Sequence, residues 1–133
     1  MSKQIIIPFQ ITGWEAVNYD ETTATPTLSR ITVKKSFDGE VTGNSVGELL
    51  MCASSSGAAG YTIMDRFFVE IEGRKGSFVA IHGATTDEMR ALGKIVPHSG
   101  TDELAGISGT LEFKSDENGK RIILDFAFGD EES

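Results

Sequence analysis

Apolar residues recur at every second position of this chain, in segments bounded by clusters of Gly, Asn, Asp and Ser. Side chains that alternate by two point to opposite faces of a strand, so each row implies one buried and one wet side. The clearest row is Ile107, Gly109, Leu111 and Phe113, set against Ser108, Thr110, Glu112 and Lys114. A second row, Ile122, Leu124, Phe126 and Phe128, follows across residues 115–119, whose Asn118 and Gly119 suit a hairpin turn. Earlier in the chain Ile31, Val33 and Phe37 alternate with Thr32, Lys34 and Ser36, and Asp38 and Gly39 turn them into a strand over residues 40–52. A third hairpin joins 61–71 to 77–82 through a turn at 72–76.

Two segments are apolar on both faces. In Ser77, Phe78, Val79, Ala80 and Ile81 both sides need cover, from a barrel interior on one side and from a neighbouring subunit or an overlying loop on the other. The run from Ile5 to Ile11 is similar, and Pro8 marks it as an edge, bulged or bent strand. Residues 21–26 read as a surface loop. Helix signals are confined to two places: Thr85 with Glu88 has capping-box spacing in a segment closed by Gly93, and residues 99–104 allow one turn ended by Gly106.

The pattern predicts an all-β fold, a single antiparallel β-barrel of about eight strands with at most one or two short helical turns. Closure removes the exposed edges that invite aggregation. No repeat or linker divides residues 1–133, so one domain is expected, with 129–133 as an acidic tail. The 133 residues suffice for one core, and 15 glycines against 3 prolines suit many turns.

A net charge of −8 repels phosphate backbones and anionic lipid, which argues against nucleic-acid and membrane partners. The single cysteine, Cys52, leaves no internal disulfide, and the apolar run at Ile5 is halted by Pro8 too soon for a signal-peptide core. A cytoplasmic protein is expected. Two histidines and one cysteine without ligand spacing give no metal site, and no cofactor is expected.

Three stretches carry a resemblance: GRKGSFVAIHG at 73–83, VPHSGTDELAGISG at 96–109, and GELLM at 47–51 ahead of Gly60 and Tyr61, with Trp14 and Glu15 in accord. Over nearly its whole length the chain resembles a bacterial family of unknown function whose fold is likened to the allene oxide cyclase barrel. The resemblance implies that fold and a homo-oligomer, and no reaction, because a shared barrel does not transfer chemistry. Two positions depart from the family pattern: Asp102 and His98 stand where the family more often has glycine.

Candidate ligand-binding residues are those stranded among apolar neighbours. Glu48 lies between Val46 and Leu50; if that face is the interior, its carboxylate is desolvated and its pKa raised, and otherwise it is an ion-paired rim residue. Asp125 lies between Ile123 and Ala127, with a solvent-facing pair to Arg121 as the plainer use. Arg66, among Met64, Phe68 and Glu70, suits a ligand carboxylate or a cross-strand acid. His82 ends the Phe78 and Ala80 row, as a proton carrier at the rim or a backbone-bonded side chain. His98 is a loop residue that could close over a mouth, and Trp14 and Tyr61 offer flat apolar surface with one polar handle each.

These residues support, first, a barrel that binds a small apolar or amphipathic molecule. An oligomeric structural or interaction module is the second reading. An isomerase or cyclase acting on an apolar substrate, with Glu48 steering charge, is the third. The catalytic residues of such an enzyme cannot be named from sequence.

Overall fold

The computed structural model describes residues 2–21, 26–55, 59–87 and 90–129. Residues 130–133 of the acidic tail, 22–25 of the loop before Pro26, 56–58, and 88–89, with Glu88 of the expected capping box, lie outside them. Eight strands form one closed antiparallel barrel in sequence order: β1 (Lys3–Asp20), β2 (Thr27–Asp38), β3 (Val41–Ala53), β4 (Ala59–Ile71), β5 (Arg74–Thr85), β6 (Ala91–Ile95), β7 (Ile107–Asp116) and β8 (Gly119–Phe128). The only helical element among the described residues is a 3-10 turn at Asp102–Leu104, within the segment where one turn is expected.

Gly93, read in sequence as the close of a short helical turn from Thr85, lies in β6, paired with β5 and β7. Gly93 is there because strands approach closely: a Cβ at that position would lie 2.4 Å from the carbonyl oxygen of Ile81 and 2.6 Å from the Cβ of His82. A glycine demanded by a strand crossing reads, in sequence, like a helix stop.

β1 closes the barrel at its lower end and leaves it at its upper end. Residues from Lys3 to Pro8 pair with β8, whereas Phe9 to Asp20 pair with β2. Pro8, which has no N–H to donate, sits where the chain changes partners, and register shifts follow at Ile11/Gly13 and Asn18/Asp20. Past Pro8 the wall therefore has a notch between the upper half of β1 and the β7–β8 turn. An open depression lined by Phe9, Ile11, Asn118 and Lys120 marks it.

Inward side chains fill the lower half. Phe37, Phe67 and Phe78 stack nearly parallel, with centroids 5.6 Å and 4.9 Å apart, among Ile71, Ile95, Leu124 and Phe126. The bottom is plugged by residues 96–104, the stretch that carried part of the family resemblance. Leu104 is fully buried, Thr101 accepts from the backbone N–H of Ser77 and donates its own N–H to the Ser77 carbonyl, and Ser99 Oγ accepts from Val79 N–H. This segment runs along the backbone edge of β5 at Ser77 and Val79, and its Thr101 Oγ1 meets the outward Ser77 Oγ at 2.7 Å, so a loop of the same chain meets part of the need for cover, while Ile81 stays exposed. His98 and Asp102 have φ of 63° and 53°, the left-handed conformation that glycine adopts without strain.

Candidate functional site

Directly opposed residues on neighbouring strands share a sheet face. Inward positions on β2 are Ile31, Val33, Lys35 and Phe37, and on β4 they are Ile63, Asp65, Phe67 and Val69; each row is apolar except for one charge. Lys35 and Asp65 meet in the middle of the barrel, with Nζ to Oδ2 at 2.7 Å and side chains 5% and 0% exposed. His82 on β5 joins them, its Nε2 3.5 Å from Asp65 Oδ2, at the long limit for a hydrogen bond. Its Nδ1 lies 3.2 Å from the Tyr61 hydroxyl. If Tyr61 donates to Nδ1, the remaining imidazole proton sits on Nε2 and faces Asp65.

Room for a carboxylate in the core comes from small neighbours. Gly47 and Ala80 flank Asp65 in register, and a Cβ on Gly47 would stand 2.1 Å from Asp65 Oδ1 and 2.9 Å from the Met64 carbonyl oxygen. Aromatic rings roof the cluster. Phe113 stacks on the His82 ring at 3.7 Å between centroids, and Lys35 Nζ lies 5.6 Å from the Phe113 ring centre and 6.0 Å from that of Phe9. Among the described residues, the buried Asp65 Oδ1 and Ser45 Oγ have no hydrogen-bond partner, and the buried His82 Nε2 has only its long contact to Asp65 Oδ2.

The charges stabilise one another. Burial pushes the Asp65 carboxyl up, but the His82 contact and the Lys35 ammonium outweigh it and hold the group below the usual carboxylate range. Burial pushes the His82 imidazole down, the Lys35 charge adds to that push, and Asp65 only partly opposes it. The site at neutral pH is thus a Lys35–Asp65 ion pair beside a neutral imidazole.

Above the cluster the inner face is open. Ile11 is opposite Lys35, Trp14 opposite Val33 and Ala16 opposite Ile31, so all three belong to the inward face of β1. They remain exposed, Trp14 at 51%, because β8 no longer runs beside them. The result is an apolar half-bowl, with Ile31, Val33, Leu49 and Ile63 buried and Met51 and Tyr61 partly so. The ion pair lies at its base.

Of the residues singled out in sequence, the structure brings Tyr61 and His82 together and places Trp14 on the bowl. Glu48 is on the outer face with Val46 and Leu50, where it accepts from Thr32 Oγ1 at 2.9 Å and lies 4.0 Å from Arg30. Arg66 is also outward and exposed, on the opposite side of β4 from Asp65. Asp125 is half-buried on the outer face and accepts from Gln4 Nε2 at 3.2 Å, while Arg121 pairs with Asp116 instead. His98 is exposed on the bottom plug, away from the open end. Lys35 and Asp65 escaped notice although a signal existed: each is the one charge in an inward apolar row, at the same parity as its large neighbours.

A family profile described as a protein of unknown function, DUF3224, matches residues 6–128. The fold is similar to the crystal structure of a protein of unknown function from that family in Shewanella oneidensis MR-1, with a TM-score of 0.86 and 28% identity over 96% of this chain and 98% of that one. Comparison with curated proteins finds no match.

Proposed function

Since the chain belongs to the DUF3224 family, whose description assigns no activity, its role must be argued from the site, and we propose that the upper barrel binds a small apolar or amphipathic molecule. The apolar part lies against Trp14, Ile11 and the half-bowl, and one polar end reaches down beside the Phe9 and Phe113 rings that roof the Lys35–Asp65–His82 cluster. The observation that carries this reading is the group of buried polar atoms that are unpaired or weakly paired among the described residues, Asp65 Oδ1, Ser45 Oγ and His82 Nε2, beneath an open apolar face. Leaving such groups unpaired costs about 1–3 kcal/mol each, and a ligand hydroxyl, amide or carboxyl recovers part of that cost on binding. An eight-stranded barrel is just wide enough for side chains or one small ligand. The lower half is already filled, which confines the molecule to the notch and bowl.

The isomerase reading leaned on Glu48, which the structure turns to the outer face. Binding is therefore the better supported role. The test is a titration with 1-anilinonaphthalene-8-sulfonate, an amphipathic probe, followed through the lone tryptophan, Trp14. Native mass spectrometry of protein taken from its own cells accompanies it. Saturable binding that Phe113→Ala or Tyr61→Ala weakens and Glu48→Gln leaves unchanged is expected, together with a retained mass. Absence of saturation and of any retained molecule refutes the reading.

A further inference from the structure

The outer faces of β3, β4, β5 and β6 carry an apolar tract that the chain itself does not cover. Val46, Leu50, Met64, Phe68, Ile81 and Leu92 all point outward there and are 38% to 58% exposed. The tract measures about 14 Å between its outermost strands and about 20 Å along them, close to the size of the largest apolar patch on an ordinary soluble monomer. Strand pairing arranges it in rows. One row runs Glu48, Met64, Ile81, Lys94 across the four strands, and the next runs Leu50, Thr62, Gly83, Leu92. Two shallow depressions meet at Thr62 and Gly83, and Gly83 admits no side chain, since a Cβ would lie 2.5 Å from the Tyr61 carbonyl oxygen.

We infer that this face binds a second copy of the chain, face to face, about a two-fold axis lying between β4 and β5 and parallel to them. The charge pattern supports that occupant. Such an axis lays β3 of one protomer over β6 of its partner, so that acid and base at opposite ends of the first row face each other twice, Glu48 to the partner's Lys94 and Lys94 to the partner's Glu48. Met64 then faces the partner's Ile81, Leu50 faces the partner's Leu92, and Thr62 faces the gap at the partner's Gly83. Sheets pack about 10 Å apart, a distance that Glu and Lys side chains span together. A two-fold contact requires a self-complementary surface, and a row with an acid at one end, a base at the other and apolar residues between has that property. The molecule's excess negative charge opposes association in general, so a contact that sets each carboxylate against an ammonium selects this face over others.

Light scattering coupled to size exclusion at micromolar concentration tests the proposal, with circular dichroism to verify folding. The wild type is expected at twice the chain mass. Glu48→Lys sets like charges together at both ends and should weaken association at least about tenfold; adding Lys94→Glu to it should restore the dimer. Met64→Glu, at the centre, should give monomers, and Val17→Glu, on the outer face of β1, should not. A monomeric wild type, a larger closed or open assembly, or a charge exchange that fails to rescue Glu48→Lys overturns the inference. None of these outcomes depends on ligand binding in the barrel.

Discussion

The two halves of the barrel are built from the same alternating strands and differ in what their inward positions hold. Below, aromatic rings stack and Leu104 seals the end, with Arg74 lying 3.9 Å from the Phe128 ring centre. Above, the inward rows contain a lysine, an aspartate and a histidine, and the wall opens where β1 parts from β8. A buried ion pair seldom stabilises more than well-packed apolar residues would, so the upper half forgoes stability that the lower half secures. The division resembles that of proteins in which a rigid portion supports a site whose groups are kept polar against the packing preference of a core.

Two substitutions of similar, large effect probe each half. Phe67→Ala removes the middle ring of the stack and should cost about 3–5 kcal/mol in urea denaturation. Lys35→Met should also cost about 3–5 kcal/mol, because it leaves the Asp65 charge buried without its partner. Pairing it with Asp65→Leu separates the cases: the double variant should recover most of the loss, to within about 2 kcal/mol of wild type, whereas no second change in the stack is expected to rescue Phe67→Ala. A double variant as unstable as Lys35→Met would mean that the cluster stabilises the fold in its own right, and the contrast would fail.

A smaller effect concerns pH. The His82 value in the folded chain lies below its ordinary 6.5, so between those two values the unfolded chain binds more protons. Stability is then full above about 6.5 and falls as pH drops from there toward the depressed value; Asp65 adds loss of the same sign below its ordinary 3.8. His82→Phe should flatten the curve of melting temperature just below pH 6.5, and an unchanged slope would show that other groups set it. The smallest expected effect lies at the bottom plug. His98→Gly and Asp102→Gly relieve left-handed backbone at positions where φ is 63° and 53°, and each should raise stability by about 0.5 kcal/mol. A loss at either position would mean that the side chain holds the plug in place.

Much of the barrel could be read from alternation and turn chemistry. The hairpins at 31–52, 61–82 and 107–128 have apolar rows long enough to be recognised, and Asn118 with Gly119 and Asp38 with Gly39 mark their turns. β6 was missed because its five residues include a glycine and only two large apolar side chains, too short a row to show a period. The site was harder to read. β3 and β4 are apolar on both parities, so Glu48 between Val46 and Leu50 looked as buried as Asp65 between Ile63 and Phe67. One parity faces the core and the other faces outward, and a one-residue choice exchanges every candidate on the strand.

By itself, the sequence determined that the chain forms hairpins of alternating strands and that those strands roll into a barrel, since local periodicity and turn residues act over a few positions and are written along the chain. Only the tertiary structure decided which face of each strand turns inward, where β1 leaves β8, and that Lys35, Asp65 and His82 meet. Those outcomes depend on long-range pairing: β3 carries Lys35 and Asp65, 30 positions apart, onto one face, and closure of β1 on β8 joins Gln4 and Asp125, 121 apart. A local period can mark such a residue as out of place in its row, but it does not say which residue of another strand will meet it.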